Sequence, residues 1–409
     1  MERKKISMKD FFRRQRAARR VYADAAAATP IDSRVLARMR SLLPLSANPG
    51  GLHKEARAAR AELEGARSEI AQAIGAHSDE IYFTGSGTEA NNLALVGVLG
   101  GVLKKRPAHA IALSIEHHSV LEPLEHLKRY GLVLSLLPVD SDGLLSLKNL
   151  HDTLRSDTAL VSVQLVNSEL GTIEPIREVV REVRRIRKER VKKENTLPLY
   201  VHTDAAQAPL YLPLNVEHLG VDLMTLDAQK ILGPKGVGAL YIRRGVAIEP
   251  LIRGGGQERG MRAGTENVPL AGAFAEALTL AQEDVSVRAR RVAGLRDLLA
   301  GEIERLLPGV SINGGIEHRV ANNLNLSIEG LDAETAVIAM DAWGVAISTR
   351  SACVAKDEAL SHVLKAIGLS PKRAREALRI TLLPEVTQSE IRTIARTLAR
   401  AYERYGKKT

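Results

Sequence analysis

Aromatic residues are few in this chain. Four Phe, eight Tyr and one Trp make up 3% of its 409 residues. Aliphatic side chains must therefore fill whatever core it forms. Cysteine is scarcer still, with Cys353 alone. No disulfide can close within the chain and no multi-cysteine metal site can form, a usage that fits a reducing cytoplasm. No apolar run reaches the length of a membrane span. The first twenty residues have no apolar stretch of the kind a secretory signal needs. They are rich in Lys and Arg instead, so residues 1–20 read as a basic arm, and Glu2 and Asp10 argue against a transit peptide.

What is present is the composition of a folded globular protein, 45% hydrophobic and 26% charged. The length can bury a large core and points to about two domains. Net charge is +10, much of it in the N-terminal arm and in residues 181–193. A basic face can bind RNA or an acidic protein. Here Glu182 and Glu189 interleave the cations, Glu194 follows them, and aromatic stacking residues are missing, so the segment reads as a solvated helix end.

Apolar runs at 21–24, 81–84, 108–113, 132–137, 160–165 and 198–204 predict strands. Helices are predicted at 54–73, from the turn at 85–90 to about 103, and at 146–154. Several strands end in polar clusters with helices between them. That pattern is a doubly wound α/β sheet with a site at the carboxyl edge of its strands. A long helix at 269–307 then leaves the sheet, and 321–328, 333–343 and the later segments form a smaller α+β domain.

The chain is organised around Lys230. An apolar run ends at Asp227-Ala228-Gln229-Lys230, and the glycine-rich turn Gly233-Pro234-Lys235-Gly236 follows. An amine fixed at the mouth of a sheet can form a Schiff base with a carbonyl, most often that of pyridoxal phosphate; the alternative is a solvated lysine after a strand. Gly85-Ser86-Gly87-Thr88 joins a strand to a helix start, a geometry that binds phosphate or simply caps the helix with Glu89 in its first turn. His117 follows a strand and can stack on a flat ring, shuttle protons, or serve as a loop histidine. Asp204 ends another strand, where it can pair with a pyridine nitrogen or cap a loop. The glycine-rich stretch 253–265 is either mobile or packed closely on a partner. A lone Cys is usually a small buried hydrophobe, but Arg350 and Lys356 flank Cys353 and favour a thiolate, so a reactive cysteine is the better reading. Arg379 lies in an apolar strand and needs an anion; a substrate carboxylate or a structural Asp or Glu would serve.

Taken together, Gly85–Asn91, Glu116-His117, 166–171, 202–207, 227–238, 254–265 and Ser351-Ala352-Cys353 resemble the NifS/IscS-like cysteine desulfurases of the class V aminotransferase family. The likeness runs from about residue 21 to 400 and implies the pyridoxal-phosphate fold type I. By resemblance, a large cofactor-binding domain spans 36–268, and a small one joins 21–35 to 269–409 and carries the Cys353 loop. Lys230 would form the Schiff base, Asp204 would pair with the ring nitrogen, Gln207 would contact the ring hydroxyl and His117 would stack on the ring. Gly87, Thr88 and Gln229 would hold the phosphate, and Thr265 would reach it in the other subunit of a homodimer. Arg379 and Ser168 would bind the substrate, and Cys353 would accept its sulfur.

The implied activity converts L-cysteine to L-alanine with a persulfide on Cys353. Sulfur would pass to an iron–sulfur scaffold or a tRNA-thiolation enzyme in the cytoplasm. A selenocysteine lyase or related enzyme on the same scaffold stays open, as does a weakened sulfur-relay or RNA-binding protein. Asp227 and Gln229 replace the Ser and His that the family places on the phosphate, and Asp227 would repel that group. Ser168 replaces the second Asn of the family's Asn-Asn-Glu, and Arg350 stands where Gly is frequent.

Overall fold

The structure is a computed structural model in which residues 20–349 and 360–406 are described. Among them the strands are β1 (Val21–Tyr22), β2 (Ile81–Thr84), β3 (Ala108–Leu113), β4 (Leu132–Leu137), β5 (Thr158–Ser162), β6 (Tyr200–Asp204), β7 (Leu223–Asp227), β8 (Gly238–Ile242), β9 (Val310–Ile312), β10 (Asn323–Ile328), β11 (Val345–Ala346) and β12 (Ala377–Thr381). A seven-stranded sheet runs β2-β8-β7-β6-β5-β3-β4. The pairs among β3 to β7 are parallel, and β8 is antiparallel to both its neighbours. Two reversals through β8 bring β2 back into the direction of β7. The carboxyl ends of β2, β3, β5, β6 and β7 therefore share one edge, as the sequence pattern predicts.

Both faces of this sheet are covered. Every residue of β3, β5, β7 and β8 is buried, which is why these strands are mostly apolar on both faces. In β3, Ala108, Ala110 and Ala112 join one core cluster while Ile111 and Leu113 join the other. The period of two along a strand divides the chain between the two layers. The helix Gly87–Leu103 packs on β7 and β8, and Lys54–Ile74 packs with Ser33–Leu42 against Val268–Gln282. At that crossing Gly272 is required, because an added Cβ would lie 2.3 Å from Leu42 Cδ1.

A second sheet, β12-β10-β9, is antiparallel. The helix Gln388–Tyr405 packs against Val285–Leu306 and Ala333–Ala342 beside it. The N-terminal strand joins this region, with Val21 opposite Val345 and the Ala25 N–H on the Thr381 carbonyl at 3.1 Å.

One expectation changes and two gain detail. The single helix at 269–307 is two, because the first ends at Gln282 and Asp284 turns into the left-handed region (φ 48) before Val285 starts the second. The glycine-rich stretch is pinned at one point within the chain. Buried Glu258 takes N–H groups of Arg67 at 2.7 and 2.9 Å and of Phe83 at 2.9 Å. The basic segment belongs to the helix Ile176–Lys192, and much of its charge is already used. Arg185 pairs with Glu182 and Glu189, Arg187 with Asp222, and buried Arg190 donates to the carbonyls of Leu197, Arg155 and Thr158.

Candidate active site

At the shared strand edge one cavity is lined by Gly87, Thr88, Asn91, His117, Ser119, Gln164, Ser168, Asp204, Gln207, Asp227, Gln229, Lys230 and Arg379, with Ala26 and Ala27 across its mouth. Each strand delivers its polar group just past the point where its apolar run stops. β2 delivers Gly87 and Thr88, β3 delivers His117, β5 leads to Gln164 and Ser168, β6 ends in Asp204, and β7 leads to Lys230. The residues predicted from separate stretches of sequence thus meet, with two exceptions. Thr265 lines a different cavity with Gly85, Glu258 and Arg262. Cys353 lies outside the described residues.

The Lys230 amine donates to the carbonyls of Ala26 (2.8 Å) and Ala27 (2.6 Å), and the Gln207 amide donates to Ala26 at 2.9 Å. A polar chain joins Asp204 to His117. The Asn91 side-chain amide donates to Asp204 Oδ2 at 2.7 Å and to Ser119 Oγ at 2.8 Å. Ser119 Oγ lies 2.7 Å from His117 Nδ1, which also accepts the Ser119 N–H at 3.1 Å. With Nδ1 accepting, the neutral ring carries its proton on Nε2. Burial pushes the His117 pKa down, against an upward pull from Asp204 and a further downward push from Lys230. Beneath it, burial raises the Glu116 carboxyl well above the usual carboxylate range, and its Oε1 accepts the Gln164 N–H at 2.7 Å.

Arg379 is buried in β12 and finds a structural partner in Asp24 at 2.9 Å. It also donates to the Ser168 carbonyl at 3.2 Å, while its Nε faces no acceptor. Gln229, expected to face a phosphate, turns back on Asp227. Sequence reasoning missed Asn91, Ser119, Gln164 and the Asp24 carboxylate. Only Asn91 carried a signal, since it stands one turn into the helix that follows the glycine-rich loop.

The family model Aminotransferase class-V matches residues 21–394. The chain belongs to the class-V aminotransferase family. The cysteine desulfurase IscS of Dictyoglomus turgidum is 41% identical over 387 residues, covering 94% of this chain and 95% of that protein. The mitochondrial cysteine desulfurase of Arabidopsis thaliana is 37% identical over 377 residues, or 91% of this chain and 80% of that protein. Among solved structures, a NifS-like protein superposes with a TM-score of 0.85 at 35% identity, covering 94% of this chain and 99% of its own. SspA in complex with cysteine matches with a TM-score of 0.76 at 32% identity, covering 90% and 100%.

The family's cofactor is pyridoxal phosphate, and the donor set fits it. A primary amine, a carboxylate, an imidazole and a carboxamide open on one cavity beside a helix start. Among the described residues no helix is long and apolar enough to cross a membrane.

Proposed function

We propose that the protein takes sulfur from L-cysteine, releases L-alanine and carries the sulfur as a persulfide on Cys353. The observation that carries this reading is the meeting of Lys230, Asp204, His117 and Arg379 in one cavity, in a chain whose relatives are named cysteine desulfurases. Bound pyridoxal phosphate supplies a carbonyl for amines and a ring that accepts electrons.

Lys230 would hold the cofactor, and its free amine would serve as the base for the α-proton. Asp204 would be the anion that keeps a ring nitrogen protonated, with its Oδ2 held in place by Asn91. His117 would hold a proton at Nε2 and pass it within the cavity. Arg379 offers its guanidinium to the substrate carboxylate, with Asp24 fixing its angle. The Cys353 thiolate attacks the substrate sulfur. The carbon–sulfur bond breaks, its electron pair stays with the carbon fragment, and that fragment takes up a proton and leaves as alanine. No outside oxidant is required.

This reading includes a division into a large unit over 36–268 and a small one over 21–35 and 269–409. The pairing of β1 with β11 supports placing the N-terminal strand in the small unit. It also includes a homodimer, which the position of Thr265 away from Lys230 supports. The sulfur acceptor is an iron–sulfur scaffold or a tRNA-thiolation enzyme in a reducing, cytoplasmic setting.

The visible spectrum with and without L-cysteine, read beside alanine and sulfide, tests the proposal. Lys230→Ala should abolish alanine formation, and Cys353→Ala should abolish persulfide transfer. Persulfide release at the native rate by Cys353→Ala would sink the role of that thiol. Selenocysteine turnover that persists without Cys353, with cysteine inert, would move the reading to a selenocysteine lyase.

A further inference from the structure

The corner of the cavity at the start of the helix Gly87–Leu103 already holds a negative charge of the protein's own. Asp227 ends β7 and is 6% exposed. Its Oδ2 accepts the Gly87 N–H at 3.3 Å and the Gln229 side-chain N–H at 3.1 Å. Its Oδ1 accepts the Gln229 backbone N–H at 3.1 Å. Gly87 and Gln229 both line the cavity that Lys230 faces. They are donors that an anionic group seated at this helix start would use, and both are engaged by a carboxylate. The positive end of a 17-residue helix is thereby neutralised from within.

Packing keeps the acid there. A Cβ added to Gly87 would meet Asp227 Cβ and Oδ2 at 3.0 Å, and one added to Gly238 would lie 2.6 Å from the Ser86 carbonyl carbon. β7, β8 and the loop before the helix close around the carboxylate and leave it little room to swing aside.

We propose that Asp227 is an internal occupant of the phosphate seat, competing with the cofactor for the same donors. The inference rests on the assignment of pyridoxal phosphate to this cavity. Two anions cannot share two N–H groups without repulsion, so loading the cofactor must move Asp227 or neutralise it. The same residue therefore works in opposite directions in the two states. It caps the helix and the turn at Gln229 in the cofactor-free protein, and it loosens the phosphate grip in the loaded one.

The test compares the cofactor-free wild type with Asp227→Asn and Asp227→Ser. Each is titrated with pyridoxal phosphate and, separately, with pyridoxal, which lacks the phosphate. Uptake is read from the visible absorbance, and the melting temperature of each cofactor-free protein is recorded. Both variants should bind pyridoxal phosphate roughly tenfold or more tightly than wild type. Pyridoxal affinity should stay within about twofold, because only the phosphate feels the competition. The cofactor-free variants should melt no more than about 1 °C lower, because Asn and Ser keep a capping acceptor and only the negative charge at the helix start is lost. Equal or weaker binding of pyridoxal phosphate by both variants would overturn the inference. So would an equal gain for pyridoxal, since Asp227 would then act through the Lys230 amine. If none of the three proteins takes up the cofactor, the assignment of pyridoxal phosphate fails and the inference fails with it.

Discussion

Replacing Arg67 by Met should unpin the glycine-rich loop at a cost that geometry sets. Arg67 and Glu258 are 2% and 3% exposed, so neither charge has a route to water. The guanidinium donates twice to Glu258, at 2.7 and 2.9 Å, once to the Ile81 carbonyl at 2.8 Å, and through Nε to the half-exposed Glu64 carboxylate at 3.2 Å. Met preserves the length and apolar stem of Arg but none of its donors. Glu258 would keep the Phe83 N–H at 2.9 Å and lose its counter-charge. Stranding one member of a buried ion pair costs about 3–5 kcal/mol. Unfolding entropy for a chain of this size is roughly 0.8 kcal/mol per kelvin, so the melting temperature should fall by about 4–6 °C. Calorimetry on Arg67→Met, Glu258→Gln and the double variant decides the matter. The double variant should recover at least about half of the Arg67→Met loss, because the neutral carboxamide that replaces the Glu258 carboxylate still accepts from Phe83 and no charge is stranded. A loss below about 1 kcal/mol for Arg67→Met, or a double variant that loses the full sum, would refute the reasoning.

Burial raises the Glu174 carboxyl from 4.5 to about 8. The folded chain holds that proton across a window where the unfolded chain has lost it, so stability falls as pH rises from about 4.5 to about 8. Glu174→Gln keeps an acceptor for the Leu145 N–H (3.0 Å) and should gain on the order of 2–4 kcal/mol over wild type between about pH 5 and about pH 8. Thermal melts at the two pH values with an unchanged gap would count against it. Asn91→Ala should cut kcat about tenfold or more and move the pH profile, since Asp204 and the Ser119–His117 pair lose their link. A lower kcat with an unmoved profile would mean Asn91 only packs. Arg379→Lys should raise KM for cysteine by about tenfold or more with a smaller change in kcat, because Lys lacks the planar fork. A kcat effect larger than the KM effect would place Arg379 in the chemistry instead.

The sheet and its active edge were readable because their signals are local. Lys230, Asp204 and His117 each follow an apolar run, and parallel order carries the ends of such runs to one edge. Other features were hidden for stated reasons. Asp24 and Arg379 are 355 residues apart, and nothing in either stretch names the other. Asn91 and Ser119 sit within first helical turns, where a polar side chain usually means a solvated face. The break between Gln282 and Val285 carries neither Gly nor Pro, so the helical pattern runs through it. The run of glycines at 254–256 suggested freedom or a partner, and nothing in it shows that the buried Glu258 carboxylate, three residues from Gly255, ties one point of the stretch to Arg67 and Phe83.

The carbonyls that receive the Lys230 amine come from Ala26 and Ala27, in a segment anchored at its start by β11 and by Thr381. This segment is thus held by residues synthesised some 355 positions later. Until the chain has been synthesised past Thr381, Lys230 has no finished setting, however well the seven-stranded sheet has formed. Contacts of such long sequence separation form late. The Lys230 amine becomes organised late in folding, so a chain truncated before β12 would display a large sheet and an unfinished site.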